Sequence, residues 1–451
     1  MEKFTSKIIE EFRNNSYEAD YAYTYQKIND YLTSERENVF PSNDDLKLLN
    51  DIDLNFNEKP EATNKILEEL ANLGEKTTTL SSSSRYFGFV VGSSFPIALQ
   101  ARLLADAWDQ NSALYLMSPI ASKIEEIVEK WLIELLGLPN NSAMGLVSGS
   151  ATATILALNA ACFRISKNDR SKVKVVVSEE AHATVLKSLK ILGINQSQLI
   201  MVPANEKGEI DVSKLPEFTK DMIVILQAGN VNGGAYDDFT TICTKANKAK
   251  AWVHIDGAFG LYVNANEKLK HLTSGIELAS SWTFDAHKTL NTPYDNGVVV
   301  CKNREIYLES LQVNGSYLVA STNRDGMAYT NEMSRRARAI ELWATLKALG
   351  KEGVSDLVYE LYCKTAYFAK GLEKLGFNIL NEVVFNQIVM YYENDNQTKS
   401  ILNKINESGI CFMSSSNWHN HFVIRVSVSS YKTTYDDIDY CLKEIAKIID
   451  S

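Results

Sequence analysis

The sequence has little proline, no closely spaced cysteine pair and no long apolar run. Only eight of its 451 residues are proline, which excludes extended Pro-rich linkers. The six cysteines lie far apart and form no Cys-x-x-Cys pair, which excludes a zinc ribbon or a thioredoxin-type motif. Apolar runs such as Met222 to Leu226 have the length of a strand rather than of a membrane span. The first residues, MEKFTSKIIEEFRNN, lack the apolar segment of a signal peptide. We therefore expect a cytoplasmic protein with reduced cysteines, no membrane segment and no metal site.

Positive charge is not in excess either. Lysine and arginine number 46 against 56 aspartates and glutamates, which gives a net charge of −10. Duplex DNA and anionic membranes attract basic surfaces, so neither is expected as a partner. The hydrophobic fraction of 45% and the charged fraction of 23% are those of a globular protein.

The pattern of apolar and polar residues divides the chain into three predicted regions. Residues 1–80 form a polar helical arm, residues 81–345 a large α/β domain, and residues 346–451 a small α+β domain. In the large domain short apolar segments alternate with amphipathic helices, which is typical of a mostly parallel sheet. The predicted strands are 172–178, 199–202, 222–227, 251–256, 281–284 and 298–301, and the predicted helices between them include 150–164, 183–192 and 238–248.

A segment of small hydroxyl-bearing residues, GLVSGSATATILALNAACFR, follows a short predicted strand and leads into a helix from Ser150. Small residues allow backbone N–H groups to approach an anion, and the N-terminus of a helix carries partial positive charge. A phosphate-binding loop is therefore one interpretation. Simple capping of the helix by serine and threonine is the other.

Two further residues follow predicted strands. Asp256 ends the strand in AWVHIDGAFG, and Lys288 follows the strand in SWTFDAHK. Alone, the first is explained by a turn-capping aspartate and the second by a surface lysine. Together with the small-residue loop they form the set that pyridoxal phosphate needs: a lysine that forms an imine, an acid for the pyridine nitrogen and a phosphate cradle.

Seven segments in the same order make the sequence similar to the group II pyridoxal-phosphate-dependent amino acid decarboxylases, which include the aromatic-L-amino-acid and glutamate decarboxylases. They are SPIASKIEEIVEKWL, SGSATATILALNAA, EEAHATVLKSLKILG, AGNVNGGAYD, HIDGAFG, DAHKTLNTPYDNG and SRRARAIELW. The resemblance covers residues 85 to 444, approximately. It implies an α/β fold of the type I pyridoxal-phosphate transferases, with a mostly parallel central sheet, and it implies a homodimer.

The resemblance also implies roles for individual residues. Lys288 matches the imine-forming lysine, Asp256 the acid at the pyridine nitrogen, and His182 the histidine that stacks on the cofactor ring; capping of the helix that begins at Ala183 is the alternative for His182. Near the phosphate the matching residues are Ser150, Ala151, His287 and Ser281.

Two more residues concern the substrate. Tyr317 matches a loop tyrosine that protonates the substrate carbon, and Arg425 matches an arginine near the substrate carboxylate, with an ion pair in the core or at an interface as its alternative. Val231 occupies the position of a threonine close to the ring hydroxyl. Asn230 or Asn232 is expected to supply that polar contact instead.

The implied reaction is decarboxylation of an L-amino acid to an amine and carbon dioxide. An aldehyde synthase that oxidises the same substrate carbon, a transaminase on the same scaffold and a non-catalytic paralogue are the alternatives. Because Tyr317 and His182 are both present, simple decarboxylation is favoured over aldehyde synthesis. The identity of the amino acid does not follow from the sequence.

Overall fold

A computed structural model describes residues 4–34, 38–53, 55–167, 169–312 and 322–450. The helices are α1 (Lys7–Asn14), α2 (Glu18–Thr33), α3 (Asn43–Lys47), α4 (Thr63–Thr77), α5 (Pro96–Trp108), α6 (Pro119–Leu135), α7 (Ser150–Ser166), α8 (Ala183–Ile191), α9 (Phe239–Lys248), α10 (Arg304–Leu311), α11 (Ala339–Lys374), α12 (Asp395–Glu407) and α13 (Tyr435–Asp450). The strands are β1 (Ala143–Val147), β2 (Lys174–Ser178), β3 (Leu199–Val202), β4 (Met222–Gln227), β5 (Trp252–Asp256), β6 (Ser281–Asp285), β7 (Gly297–Cys301), β8 (Asn378–Ile379), β9 (Gln387–Tyr391), β10 (Ser414–Trp418) and β11 (His421–Ser427).

Seven strands form the central sheet in the order β1-β7-β6-β5-β4-β2-β3. Neighbouring strands from β3 to β6 run parallel, and β7 pairs antiparallel with both β6 and β1. The predicted mostly parallel sheet is confirmed, and the six predicted strands begin and end within two residues of the observed ones. Their continuous apolar runs are explained by burial on both faces of the sheet.

Helices cover both faces of this sheet. On one face α7, α8 and α10 pack against Val147, Val177 and Ile223. On the other face α6, α9 and the first half of α11 pack against Leu146, Val224 and Val253, in a core that continues into the C-terminal region. This arrangement leaves the carboxyl ends of the parallel strands as the open edge at which ligands bind in such sheets.

The C-terminal region contains a second sheet, β10-β11-β9-β8, with antiparallel pairing throughout. Helices α12 and α13 pack against it, so the predicted α+β character is confirmed. The predicted boundary at residues 345/346 lies within α11, whose helical path is interrupted at Gly350, where φ is 62°. Where the two domains divide stays a prediction.

The N-terminal arm is helical, as expected, and it buries little. Helices α1, α2 and α4 contain no buried residue. The Thr63 hydroxyl donates to the Asp20 carboxylate at 2.6 Å and so joins α4 to α2. None of the helices in the described ranges has the length and apolar character needed to cross a membrane.

Candidate active site

A cavity opens where β4, β5 and β6 end. Gln227 and Asp256 are the last residues of their strands and are register partners, and Lys288 follows β6 by three residues. Parallel strands therefore bring together residues that are far apart in sequence. The cavity is lined by Phe89, Val90, Ser150, His182, Thr184, Gln227, Gly229, Val231, Asp256, Ala258, Phe259, Lys288 and Arg425.

Asp256 is a buried carboxylate on the floor of this cavity. Its side chain is 7% exposed, and its Oδ1 accepts the Ala258 N–H at 3.2 Å. Burial raises the pKa of Asp256, while the nearby side chains of Lys288 and His182 oppose that rise. Within the described chain no cation forms a salt bridge with it. A cationic ligand group at this point would offset the cost of burying the charge.

The start of α7 forms an anion cradle beside Lys288. Ser150 N–H, in the first turn of α7, donates to Asp285 Oδ1 at 2.6 Å, and Lys288 Nζ lies 3.2 Å from Asp285 Oδ2. Gly149 and Gly297 are in such close contact that a Cβ built on Gly297 would lie 2.3 Å from Gly149 Cα. The loop before α7 therefore follows the tight path that the phosphate-loop interpretation requires. The alternative of side-chain capping is not observed, since the N-cap is Gly149 and makes no side-chain hydrogen bond.

The structure brings three of the four predicted phosphate neighbours to this cradle. Ser150 and Ala151 begin α7, and His287 Nε2 lies 3.7 Å from Asp285 Oδ2. His287 Nδ1 accepts the Asn296 N–H, which orients the ring, and burial lowers the pKa of His287.

Ser281 does not belong to the cradle. It begins β6, whose carboxyl end at Asp285 is about 13 Å away at the usual strand rise. Its hydroxyl is bonded to Trp252 Nε1 and His254 Nδ1, both at 2.9 Å. The predicted phosphate contact of Ser281 is wrong, because the side chain lies at the opposite end of β6 from the cradle and is bonded to Trp252 and His254.

His182 combines the two interpretations that the sequence left open. Its Nδ1 accepts the Thr184 N–H at 3.1 Å and so caps α8, while the side chain lines the cavity. Because Nδ1 is an acceptor, the neutral ring carries its proton on Nε2. Burial lowers the pKa of His182, although the carboxylate of Asp256 opposes this. A neutral, fixed ring is suited to stacking on a planar ligand.

Asn230 and Asn232 are committed to the turn after β4. Asn230 Oδ1 accepts the N–H groups of Asn232, Gly233 and Gly234, and its Nδ2 donates to the Gly208 carbonyl. Asn232 Nδ2 donates to Glu180, and its Oδ1 accepts from Ser416. Neither side chain lines the cavity, so the predicted cofactor contact of Asn230 is wrong: its hydrogen-bonding capacity is used by the backbone. Val231 does line the cavity.

Arg425 reaches the cavity from the small domain. It lies on β11, is 7% exposed, and burial lowers the pKa of its guanidinium to about 10. Its Nε has no hydrogen-bond partner, and no carboxylate in the described residues pairs with it. An unpaired buried cation beside a cavity favours an anionic ligand over the core ion pair that was its alternative.

The roles of two polar residues at or beside the cavity were not predicted from the sequence. Asp285 holds Lys288 and the start of α7, and Gln227 is the strand-end partner of Asp256. Phe89 stands at the cavity wall with a φ of 56°. Gln227 could have been identified from its position at the end of a strand, and Asp285 from its position in DAHK. Tyr317 lies outside the described residues.

These residues fit pyridoxal phosphate. A buried carboxylate lacks a cation, a lysine stands beside it, and a glycine-lined helix start provides N–H donors. No group of three or more His, Cys, Asp or Glu side chains that could hold a metal ion occurs in the part of the chain described here. Fold and site together define an α/β enzyme that uses pyridoxal phosphate.

Comparison with known proteins identifies the family. Residues 46–393 match the pyridoxal-dependent decarboxylase conserved domain, and the chain therefore belongs to the pyridoxal-dependent decarboxylase family. The predicted family, its cofactor and its reaction class, removal of carbon dioxide from an amino acid, are confirmed.

Individual relatives include both decarboxylases and an aldehyde synthase. An aromatic-L-amino-acid decarboxylase of Bacillus atrophaeus is 30% identical over 278 residues, 59% of this chain and 58% of that protein. Tyrosine decarboxylase 2 of Narcissus pseudonarcissus is 23% identical over 85% of this chain and 84% of its own length. A phenylacetaldehyde synthase from a Rosa hybrid cultivar is 25% identical over 71% of this chain and 68% of its own length.

The fold is also that of a solved structure. The crystal structure of Oryza sativa TDC with PLP and tryptamine superposes with a TM-score of 0.89 over 99% of both chains, at 18% sequence identity. This likeness confirms the predicted fold.

Proposed function

We propose that this protein converts an L-amino acid to the corresponding amine and carbon dioxide, with pyridoxal phosphate attached to Lys288. The observation that carries the proposal is the convergence of Lys288, Asp256 and the start of α7 on one cavity into which the unpaired Arg425 also projects. Bound pyridoxal phosphate supplies a ring that accepts the electrons left behind when the substrate loses its carboxylate.

Asp256 keeps the nitrogen of that ring protonated. Its carboxylate is buried and lacks a cation among the described residues, so a protonated nitrogen is the partner that makes its ionised form favourable. His182, held by its bond to Thr184, covers the ring and excludes water from it.

The start of α7 binds the phosphate group. Ser150 N–H and the positive end of the helix are the donors, and His287 lies beside them. Asp285 now accepts the Ser150 N–H, so a phosphate competes with this carboxylate for the same donor. Lys288, whose Nζ lies 3.2 Å from Asp285 Oδ2, is the amine that would form the imine with the cofactor.

Arg425 binds the carboxylate of the amino acid. Charge-assisted hydrogen bonds to a guanidinium orient a carboxylate strongly, and no carboxylate in the described chain occupies that role. Because Arg425 comes from the small domain, both domains contribute to the binding of the substrate.

Attachment and turnover test the proposal directly. Borohydride reduction of the holoenzyme should fix the cofactor mass on the peptide that contains Lys288, and carbon dioxide should be released from at least one L-amino acid. Tyrosine, tryptophan and phenylalanine come first, because two relatives are named for aromatic substrates. Label on another lysine contradicts the site, and a failure to release carbon dioxide from any common amino acid contradicts the reaction.

Tyr317, which lies outside the described residues, is proposed to return the proton to the substrate carbon. Its role rests on the sequence alone. Tyr317→Phe should still release carbon dioxide but form amine about 10²–10⁴-fold more slowly, with aldehyde appearing in air. If the wild type already forms mostly aldehyde, the protein is an aldehyde synthase like its relative from Rosa. If the variant forms amine at the original rate, Tyr317 is not the acid.

We also propose that the protein is a cytoplasmic homodimer. Helix α1 exposes Ile8, Ile9 and Phe12 by 45 to 53%, and Phe4 before it by 92%. Contact with a second copy would remove this apolar surface from water. Light scattering should report twice the chain mass, and Ile9→Glu combined with Phe12→Glu should shift the mass toward the single chain. A wild type that is fully active as a monomer at micromolar concentration contradicts the proposal.

A further inference from the structure

The side-chain amide of Gln227 is buried without a hydrogen-bond partner. The residue is 3% exposed and ends β4, where its backbone N–H donates to Asp237 Oδ2 at 2.7 Å. Its Nε2 has no partner, although the side chain lines the cavity. Buried amide groups are nearly always hydrogen-bonded, so an unpaired one at a cavity indicates a donor for a ligand.

Neighbouring polar groups are already engaged. The side-chain amide of Asn230 is hydrogen-bonded to the backbone, with Nδ2 donating to the Gly208 carbonyl. That of Asn232 is hydrogen-bonded to Glu180 and Ser416. Val231, which does face the cavity, offers no polar atom. On the β4 side of the cavity, Gln227 is therefore the described side chain with an amide available to a ligand.

The order of the strands indicates which ligand atom this amide meets. Ser150 and Asp285 place the phosphate cradle beside β6 and β7, to one side of Asp256, whereas β4 with Gln227 adjoins β5 on the opposite side. In pyridoxal phosphate the ring carbon that bears the aldehyde lies between the ring carbon that bears the oxygen and the ring carbon that bears the phosphate-carrying methylene group. A ring with its nitrogen at Asp256 and its phosphate at the cradle therefore turns its oxygen toward β4.

We propose that Gln227 Nε2 donates a hydrogen bond to the ring oxygen of bound pyridoxal phosphate, the contact that neither asparagine supplies. A donor at this oxygen stabilises its ionised form. It therefore favours tight cofactor binding and shifts the absorbance of the lysine-bound cofactor toward the tautomer in which the ring oxygen is ionised.

The test compares Gln227→Leu with the wild type, using cofactor titration, absorbance spectra across pH, and thermal melting of the cofactor-free protein. The dissociation constant of pyridoxal phosphate should rise about 5- to 10-fold, as for the loss of one ordinary hydrogen bond. The lysine-bound cofactor has one absorbance band for the tautomer with an ionised ring oxygen and another for the tautomer with a protonated ring oxygen. The ratio of these two bands should shift toward the protonated tautomer. Melting of the cofactor-free variant should not fall, because the amide loses no partner.

Gln387→Leu is the matched control. Gln387 is also buried, but its amide is satisfied: Nε2 donates to Asn386 and Oε1 accepts from Ser427. This variant should melt lower and keep the wild-type band ratio. Gln227→Glu should bind the cofactor more weakly than Gln227→Leu at pH 8 and recover on acidification.

An unchanged dissociation constant and band ratio for Gln227→Leu would overturn the proposal. So would a lower melting temperature of the cofactor-free variant without a spectral change, since that result identifies a structural residue. All of these readouts are taken without an amino acid substrate, so they stand or fall separately from the proposed decarboxylation.

Discussion

Replacing Arg425 by methionine removes the guanidinium and keeps most of the unbranched stem of the side chain. The native side chain is 7% exposed and, within the described residues, forms no salt bridge. Burial lowers the pKa of this guanidinium from its ordinary value to about 10. The charged form is therefore disfavoured in the folded protein, and this cost persists at every pH below about 10.

The size of the effect follows from the pKa. A fall of about 2.5 pKa units corresponds to roughly 3 kcal/mol of lost stability. Arg425→Met should recover this amount, and for a chain of 451 residues the melting temperature should then rise by about 3 °C. Because a charge-assisted hydrogen bond contributes about 1.5–3 kcal/mol, kcat/KM should fall by about 10- to 150-fold, chiefly through KM.

Thermal melting of the cofactor-free protein and steady-state decarboxylation measure the two effects on the same variant. Arg335→Met is the control, because its side chain is fully buried and paired with Glu125. Loss of a partner from a buried pair costs about 3–5 kcal/mol, so this control should melt lower. If Arg425→Met also melts lower and keeps its KM, Arg425 is a structural or interface ion-pair residue and the carboxylate assignment is wrong.

Three further variants test other parts of the site. Gly297→Ala introduces a Cβ that would lie 2.3 Å from Gly149 Cα; we expect cofactor affinity, measured by titration, to fall more than tenfold, and unaltered affinity would show that the cradle tolerates the shift. Asp256→Asn should lower the affinity for pyridoxal phosphate by more than about 100-fold, as for a broken buried ion pair, without lowering the melting temperature of the cofactor-free protein. An affinity equal to that of the wild type would exclude Asp256 as the partner of the ring nitrogen. Burial lowers the pKa of His254 to about 3. As the pH falls below 6.5, His254 is therefore protonated in the unfolded chain but not in the folded one, and the wild type loses stability. The free energy of unfolding of the wild type in urea, measured relative to that of His254→Gln, should fall by about 1.4 kcal/mol for each pH unit between 6 and 4; a difference independent of pH would show that His254 is not buried in its neutral form.

Local sequence features predicted the framework of the site. Continuous apolar runs identified the strands because these strands are buried on both faces of the sheet. Once the strands are known, Asp256 and the residues that follow β6 must lie at the carboxyl edge, and so must Lys288. The start of α7 was recognisable for a similar reason: small residues between a strand and a helix give a bare helix N-terminus.

Only the tertiary structure decided how the polar side chains are used. Ser281 is hydrogen-bonded to Trp252 and His254 at the far end of β6. Asn230 is hydrogen-bonded to the backbone of its own turn. Both predicted site residues are thereby excluded from the site. Gln227 and Arg425 are instead left with unpaired donors beside the cavity. The physical reason is that the availability of a polar group depends on which other groups bond to it, and those partners come from distant parts of the chain.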